Sequence, residues 1–294
     1  MMAESKCLVS VVVPTYKRPE LLARCLTALM EQDFDATAYE VIVADDAACN
    51  ETRHEVEALA RRMAKCGRTV RYVAVQGVHG PAAARNAGAA RAVNPYLVFT
   101  DDDCLPAANW LQAIAARITP ESAVGGVSVN ALPENICASA SEALLRYLFD
   151  YYNREPGHAR FLSTNNLAVP AARFQAMGGF APGFRQAGGE DREFCARWRE
   201  QGYALLFAPE IVVYHAHALL LPRFWQQHFN YGRGAFRFRS LGGRRPFEPL
   251  SFYTRLVRSP FAHERGVPAW RIAALLLLAQ CANAAGFAFE WVRQ

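Results

Sequence analysis

The sequence predicts an α/β protein whose central, mostly parallel sheet is covered by helices on both faces. Short apolar runs alternate with segments of helical periodicity four times in the first hundred residues. The runs are apolar throughout, as in strands buried on both faces, and such alternation implies right-handed crossovers in a parallel sheet. Hydrophobic residues make up 52% and charged residues 20% of the 294 residues. The chain can therefore bury a large core, which excludes a disordered protein.

The first strands and helices follow one another in order. Residues 8–13 form a β-branched run that ends at Pro14, and apolar residues at helical spacing follow within 19–32. The same alternation predicts further strands at 39–44, 70–75 and 95–100, with helices at 51–64 and 82–92.

After residue 100 the pattern is less regular. It predicts a strand at 124–129, a helix at 141–152, a glycine-rich loop at 177–189, a helix at 191–201, and strand pieces at 204–208 and 211–215 around Pro209. From residue 216 the composition changes to Arg and aromatic residues. We therefore expect a domain at 1–217 and a basic, aromatic-rich helical extension at 218–294.

Charge is distributed unevenly along the chain. Residues 216–294 contain 11 Arg and 3 Glu, without Lys or Asp, and carry +8, whereas the whole chain carries +5. The extension therefore suits an anionic partner such as phosphates or a lipid surface, and the alternative is a solvated basic face.

The cysteines indicate a reducing compartment. Eight Cys are scattered through apolar stretches, and no two of them have the C-x-x-C spacing of a zinc or redox motif. No secretory signal pattern opens the sequence. We expect a cytoplasmic protein, either free or held at the cytoplasmic face of the membrane by the extension.

Polar or turn-forming residues follow each of the first four strands. They are residues 14–18, Asp45 with Asp46, residues 77–80, and residues 101–103. In open parallel sheets the ligand lies beyond the carboxyl ends of the strands, so these four clusters should converge on one site. No G-x-G-x-x-G follows the first strand and no G-x-x-x-x-G-K-[ST] occurs. A dinucleotide-dependent dehydrogenase and a P-loop phosphotransferase therefore lose their main support.

The acidic run Asp101-Asp102-Asp103 is a candidate metal site. Three adjacent carboxylates repel one another unless a cation neutralises them, and hard oxygen ligands suit Mg²⁺ or Mn²⁺. In an extended segment Asp101 and Asp103 point to the same side. An acidic loop that caps the following helix is the alternative.

Two later features are ambiguous from the residues alone. Glu190 and Asp191 lie between two glycines and a helix, where an acidic residue commonly caps the helix. His215 and His217 end an apolar strand, where histidines are more often structural than ligands.

Seven strings occur in a fixed order along the chain. They are SVVVPTYKRPE (10–20), VIVADDAACNET (41–52), GPAAARNAG (80–88), FTDDDCLPAANWL (99–111), STNNLAVPAARFQAMGGF (163–180), GGEDREFCARWREQGY (188–203) and APEIVVYHAH (208–217). Taken together they resemble family 2 glycosyltransferases of the GT-A fold. The resemblance covers about residues 8–217 and implies a nucleotide-diphospho-sugar transferase fold with a mostly parallel sheet.

The resemblance implies roles for individual residues. Asp191 is the expected general base, and Asp101, Asp103 and His215 are the expected ligands of a divalent cation, Mn²⁺ or Mg²⁺. The residues expected to bind the nucleotide sugar are Pro14, Thr15, Tyr16, Arg18, Asp46, Arg85, Asp101, Asp102, Asn166 and Glu190. The family's usual D-G-S or D-x-S is Asp46-Ala47-Ala48 here, which puts the base or ribose contacts in doubt.

The resemblance also implies an activity. We expect a metal-dependent inverting glycosyltransferase that moves a hexose-type sugar from a UDP-sugar to a hydroxyl acceptor, a cell-envelope or lipid-linked glycan. The Q-x-x-R-W string of processive members does not occur, so a single transfer is expected. A non-catalytic protein that binds sugar nucleotides or a membrane is the alternative, and nucleotidyl transfer is a weaker one. Turnover of a donor discriminates between an enzyme and a binder.

The extension leaves three alternatives open. Residues 272–289 are uncharged and are flanked by Arg271 and Glu290, at the lower limit of a membrane span. The segment is a helix on the membrane surface, a true span, or a helix packed on the catalytic domain or in a dimer. The mixture of aromatics and Arg also fits single-stranded nucleic acid, but the expected metal-nucleotide site argues against a nucleic-acid partner.

Overall fold

The computed structural model describes residues 8–155, 157–184, 186–241, 247–263 and 268–293. Its strands are β1 (Val9–Thr15), β2 (Tyr39–Asp45), β3 (Thr69–Ala74), β4 (Tyr96–Phe99), β5 (Cys104–Pro106), β6 (Ser122–Asn130), β7 (Leu167–Pro170) and β8 (Ala204–His215). Its α-helices are α1 (Pro19–Met30), α2 (Asn50–Ala64), α3 (Pro81–Ala89), α4 (Trp110–Ala115), α5 (Ile136–Tyr152), α6 (Ala171–Ala176), α7 (Glu190–Glu200), α8 (Leu221–Ser240), α9 (Leu250–Arg258), α10 (Pro260–His263) and α11 (Ala269–Val292).

The strands form one sheet in the order β3-β2-β1-β4-β7-β6-β8-β5. Strands β3, β2, β1 and β4 are parallel to one another, as are β6 and β8. Strand β7 is antiparallel to both of its neighbours, and β5 is antiparallel to β8. The predicted α/β class with a mostly parallel sheet is confirmed.

Helices cover both faces of the sheet because alternate side chains of each strand face opposite sides. In β1, Val11 and Val13 pack in one apolar cluster with Leu29 of α1. Val12 packs in the opposite cluster with Trp198 of α7. All five side chains are fully buried, and each contributes about 1.5–3 kcal/mol through the hydrophobic effect.

The two strand pieces predicted around Pro209 form one long strand, β8. Its pairing with β6 changes register between Gly125 and Val127, opposite the stretch from Phe207 to Val212. Proline has no N–H to donate, so the ladder is interrupted at this point without ending the strand.

Other differences concern short elements. The predicted helix at 141–152 begins earlier, at Ile136, because the Asn135 side chain accepts a hydrogen bond from the backbone N–H of Ala138 at 2.9 Å and caps it. Strands β5 and β7 have three and four residues, too few for a periodic pattern to develop.

Two helices of the extension, α8 and α11, pack closely on each other. A Cβ atom at Gly232 of α8 would lie 2.0 Å from the carbonyl oxygen of Asn283, and one at Gly286 of α11 would lie 1.9 Å from that of Phe229. Only glycine therefore permits this approach of α8 and α11. Glu290 of α11 also forms ion pairs with two arginines of α8.

Helix α11 is also long and apolar enough to cross a membrane. Its mean hydropathy reaches 1.8 over 18 residues, of which 33% are buried inside the protein. The buried side includes Ile272, Leu276 and Ala279, which share an apolar cluster with Phe252 of α9.

Candidate active site

A cavity of about 920 Å³, here called the strand-end cavity, lies beyond the carboxyl ends of β1, β2 and β3. It brings together residues from all four of the polar clusters that follow the first four strands. The predicted residues that line it are Pro14, Thr15, Tyr16, Arg18, Asp46, Arg85 and Asp101. The sheet therefore places these distant residues around one site, as expected from its parallel strands.

Each aspartate of the acidic run 101–103 has different partners. Residues 102 and 103 form a turn, so the alternation expected of an extended segment does not apply here. Asp101 lies 2.6 Å from Arg85. Asp102 is fully buried, accepts a hydrogen bond from Thr15 at 2.7 Å and pairs with Arg18 at 2.7 Å. Burial raises the pKa of Asp102 to about 7.

Asp103 lies at the centre of a cluster of basic side chains. Its carboxylate is 3.2 Å from Nε2 of His215, 2.8 Å from Nδ1 of His217 and 2.8 Å from Arg18. Burial opposes its ionisation, but these charges and hydrogen bonds outweigh burial and hold the pKa of Asp103 well below its usual value. Burial lowers the pKa of His215, yet Asp103 raises it by more.

This cluster fits a divalent cation. Ligand atoms of Asp103, Cys104 and His215 lie within 4.8 Å of one another. Carboxylate and imidazole are suitable ligands for Mn²⁺, whereas burial raises the pKa of the Cys104 thiol well above its usual value and keeps it protonated. Asp103 and His215 are therefore the residues of this group that would hold the ion.

A buried arginine connects the acidic run with the start of α7. Arg85 donates to Asp101 at 2.6 Å and to Glu190 at 3.2 Å. Glu190 also accepts a hydrogen bond from the backbone N–H of Gly188 at 2.7 Å. Burial lowers the pKa of Arg85, but Asp101 and Glu190 raise it by more, so its charge is permanent.

Asp191 has an unusually basic carboxyl group. Burial first, and then the negative charge of Glu190, raise its pKa from 3.8 to about 7. A group with this pKa accepts a proton readily near neutral pH. Gly189, just before the helix, has a left-handed backbone and lies close to Gly234 of α8. A Cβ atom at position 189 would lie 2.8 Å from the carbonyl oxygen of Gly234. This close contact fixes the position of the start of α7.

Two predicted residues have mainly structural contacts. Asp46 lines the strand-end cavity, but its carboxylate accepts a hydrogen bond from the backbone N–H of Gly80 at 3.0 Å. Asn166 is buried, and its side chain bonds Trp110, Val127 and Ile211. The structure does not bring Asn166 to the other predicted residues, so its role in donor binding stays a prediction.

A second cavity of about 670 Å³, here called the helical cavity, adjoins the first. The two share Arg85, Asp101 and Ala187, while Asp191 and His215 line only the helical cavity. Its further walls are formed by α5, α8, α9 and α11. Asp191, the expected base, therefore lies on the helical side of the junction between the two cavities.

The residues alone did not single out every member of this site. The ambiguous His217 contacts Asp103 on the same side as His215, and the i, i+2 spacing of two histidines at a strand end is the signal that could have indicated it. His228 and Arg192 also line the helical cavity, and no local pattern distinguishes them from other residues of amphipathic helices.

Comparison with solved structures identifies the fold as that of GT-A glycosyltransferases. A mannosyltransferase from Pyrobaculum calidifontis, in complex with GDP-Man and Mn²⁺, superposes with a TM-score of 0.60 at 22% identity over 97% of this chain and 79% of its own. GalNAc-T7 with UDP, GalNAc and Mn²⁺ gives a TM-score of 0.58 at 18% identity over 98% and 56%.

The chain belongs to glycosyl transferase family 2, whose sequence model matches residues 10–172. A model described as the N-terminal domain of galactosyltransferase matches residues 148–217. Glycosyltransferase AglE of Haloferax volcanii is 27% identical over 77% of this chain and 72% of its own length. Validoxylamine A glucosyltransferase of Streptomyces hygroscopicus is 28% identical over 69% of this chain and 54% of its own, so this chain spans about half of that relative. The protein is a glycosyltransferase.

Proposed function

We propose that the protein transfers a sugar from a nucleotide-diphosphate donor to a hydroxyl acceptor, with inversion at the anomeric carbon and with a divalent cation. One observation carries the proposal: two cavities meet at the Arg85–Asp101 pair, and Asp191 lies on the helical side of this junction. A donor in one cavity and an acceptor in the other would bring the reacting atoms together there.

The strand-end cavity is the donor site in this proposal. The turn at Pro14, Thr15 and Tyr16 would hold the base, and Asp101 and Asp103 would lie near the diphosphate. Mn²⁺ or Mg²⁺, held by Asp103 and His215, would stabilise the negative charge that develops on the leaving diphosphate. Arg85 forms ion pairs with both Asp101 and Glu190. In this proposal it keeps these pairs and holds the two carboxylates in place.

The helical cavity is the acceptor site. The acceptor hydroxyl would donate its proton to Asp191 while its oxygen attacks the anomeric carbon. The bond from that carbon to the diphosphate oxygen breaks, and the electron pair leaves with the nucleoside diphosphate. Attack opposite to the leaving group inverts the anomeric centre. The raised pKa of Asp191 supports its role as the base.

The relatives support a nucleotide-sugar donor without fixing the base. One structural neighbour was solved with GDP-Man and another with UDP. We expect a UDP-sugar, and an acceptor that belongs to a cell-envelope or lipid-linked glycan.

Release of nucleoside diphosphate tests the proposal. The full chain is incubated with UDP-, GDP- and dTDP-sugars and Mn²⁺, and donor binding is measured by calorimetry. Asp191→Asn should bind the donor but lose turnover, whereas Glu193→Gln on the same helix should keep it. Failure of every donor to bind in the presence of Mn²⁺ would contradict the proposed function.

We propose further that the extension contacts an anionic membrane surface. Of the sixteen exposed large apolar side chains among the described residues, twelve lie between Leu220 and Val292, within the region that carries +8. Apolar side chains beside arginines favour binding at the lipid headgroups. Because α11 is tied to α8 by Glu290 and Gly286, surface contact requires less rearrangement than a span.

Vesicle sedimentation tests this contact. The full chain should bind vesicles that contain phosphatidylglycerol more strongly than vesicles of phosphatidylcholine alone. Trp270→Ser, which removes an aromatic side chain that is 63% exposed, should weaken binding. Val93→Ser, which is 70% exposed on the catalytic domain, is the matched control and should not. Equal binding of both variants would contradict the proposed surface.

A further inference from the structure

The helical cavity is apolar along most of its length beyond Asp191. Leu145 and Leu148 of α5 face it, as do Phe252 and Tyr253 of α9 and Phe287 of α11. Such walls favour an apolar or aromatic group and offer little to a free sugar, whose hydroxyls would lose their hydrogen bonds to water. The cavity therefore fits an acceptor that is apolar next to its reacting hydroxyl.

One polar side chain lies within these apolar walls without a partner. His228 of α8 is fully buried, and neither ring nitrogen has a hydrogen-bond partner among the described residues. Its ring is held between Phe224 and Tyr231, at centroid distances of 4.3 and 5.4 Å. Buried polar groups nearly always have partners in native proteins. A bound ligand that supplies a hydrogen-bond partner is the simplest explanation for the unpartnered ring nitrogens of His228.

The charge state of His228 limits the chemistry of that partner. Burial lowers the pKa of its imidazole to about 4, so the ring is neutral near pH 7. A neutral imidazole offers one donor and one acceptor. A hydroxyl group, which both donates and accepts, satisfies it, whereas a phosphate would accept only.

The arginines of the cavity all have carboxylate partners. Arg192 and Arg239 both pair with Glu248, at 2.9 and 2.7 Å. Arg85 pairs with Asp101 and Glu190, as described above. Among the described lining residues, the three arginines thus face the carboxylates of Asp101, Glu190, Asp191 and Glu248, so an anionic group in the cavity would meet no excess of cationic side chains. This favours an uncharged acceptor.

We propose that the helical cavity binds an uncharged amphipathic alcohol as the acceptor, with its reacting hydroxyl at Asp191, its apolar part between α5, α8, α9 and α11, and a second hydroxyl on His228. The inference rests on the proposed function and narrows its acceptor. It places a neutral, apolar group beside the reacting hydroxyl, as in an uncharged glycolipid.

The probe acceptor is n-octyl β-D-glucoside below its micellar concentration. It is compared with glucose, which lacks the apolar chain, and with farnesyl phosphate, which is apolar but anionic. The full chain is supplied with Mn²⁺ and the donor that it hydrolyses, and product mass and nucleoside diphosphate release are recorded. Octyl glucoside should be glycosylated with a KM at least about tenfold below that of glucose, because burial of each CH₂ is favourable. Farnesyl phosphate should neither react nor compete.

Variants of His228 and Ala284, with Leu277 as the control position, locate the binding site. His228→Phe keeps an aromatic ring but removes the hydrogen bonds, and it should raise the KM for octyl glucoside about tenfold while the Kd of the donor stays the same. His228→Gln, which restores a donor and an acceptor, should recover part of the loss. Ala284→Trp fills the cavity and should block the acceptor, whereas Leu277→Trp, on the exposed side of α11, should not.

The outcomes separate the two proposals. If no donor is bound or hydrolysed, the proposed function itself fails. If the donor is hydrolysed but octyl glucoside is not an acceptor, or farnesyl phosphate replaces it, the uncharged amphipathic acceptor is wrong. An unchanged KM in His228→Phe overturns the role of His228.

Discussion

The pH dependence of transfer provides a test of Asp191 as the proposed catalytic base. The pKa of Asp191 is raised from 3.8 to about 7 by burial and by Glu190, and the base acts only when it is ionised. With a pKa of about 7, its ionised fraction rises from roughly one tenth at pH 6 to roughly nine tenths at pH 8. We therefore expect kcat/KM to increase about tenfold over this range. A carboxyl group with an ordinary pKa would give a flat profile there.

The variant Glu190→Gln should move this rise to lower pH. The substitution removes a negative charge beside Asp191 and frees Arg85 to interact with it, and both changes favour the ionised carboxylate. Each pH unit of displacement corresponds to about 1.4 kcal/mol. Asp102 also has a pKa of about 7, but its neighbours with like charge are Asp103 and Asp101. If the increase of kcat/KM occurs at lower pH in Glu190→Gln than in wild type, the increase reports the ionisation of Asp191 and not that of Asp102.

The assay measures kcat/KM for the donor between pH 5.5 and 8.5 at saturating Mn²⁺, in wild type, in Glu190→Gln and in the control Glu193→Gln. The control should follow wild type, because Glu193 pairs with Arg197 on the same helix. Two results would refute the reasoning: a flat wild-type profile between pH 6 and 8, or the same half-maximal pH in wild type and Glu190→Gln.

Three further predictions follow from the geometry. Asp103→Asn should weaken Mn²⁺-dependent nucleotide binding at least about tenfold, as measured by calorimetry, whereas Cys104→Ser should change it little; similar losses in both would contradict the assignment of the ligand. Gly286→Ala forces a Cβ to within 1.9 Å of a carbonyl oxygen of α8 and should lower the free energy of unfolding in urea by about 2 kcal/mol. Gly183→Ala, which meets nothing within 4 Å, should leave it unchanged. Glu248 has a pKa lowered to about 2 because its tyrosine and arginine partners outweigh the effect of burial. Its contribution to stability is therefore present above its unfolded pKa of about 4.5 and is lost as pH falls towards 2, and Glu248→Gln should lose stability at pH 7 and show a weaker acid dependence.

The sequence was sufficient to predict the strand-end cavity because its residues follow regular strands. Pro14, Asp46 and Asp101 each occupy the end of a strand whose apolar pattern is unambiguous. The parallel arrangement then brings them to one edge of the sheet. The apolar pattern locates the end of each strand, and the parallel topology places those ends together, so both levels predict the same site.

The acidic run shows where this reasoning fails. Its side-chain directions depend on whether the backbone is extended or turned, and the turn at residues 102 and 103 is fixed by distant partners. Asp102 is held by Thr15 and Arg18, and Asp103 by His215 at the end of the last strand and His217 just after it. Sequence distances of 84 residues or more separate these partners. A local pattern contains no information about contacts at this range.

The helical cavity was not predictable for a related reason. The composition of the chain changes near residue 216, which suggests two separate regions, but the cavity takes its lining from both sides of that position. Asp191 precedes that position in the chain and His228 follows it. The close contact of Gly189 with Gly234 joins these two parts beside the base. The extension thus supplies walls of the proposed acceptor site, and a substitution far from the sheet can alter which acceptor is used without changing how the donor binds.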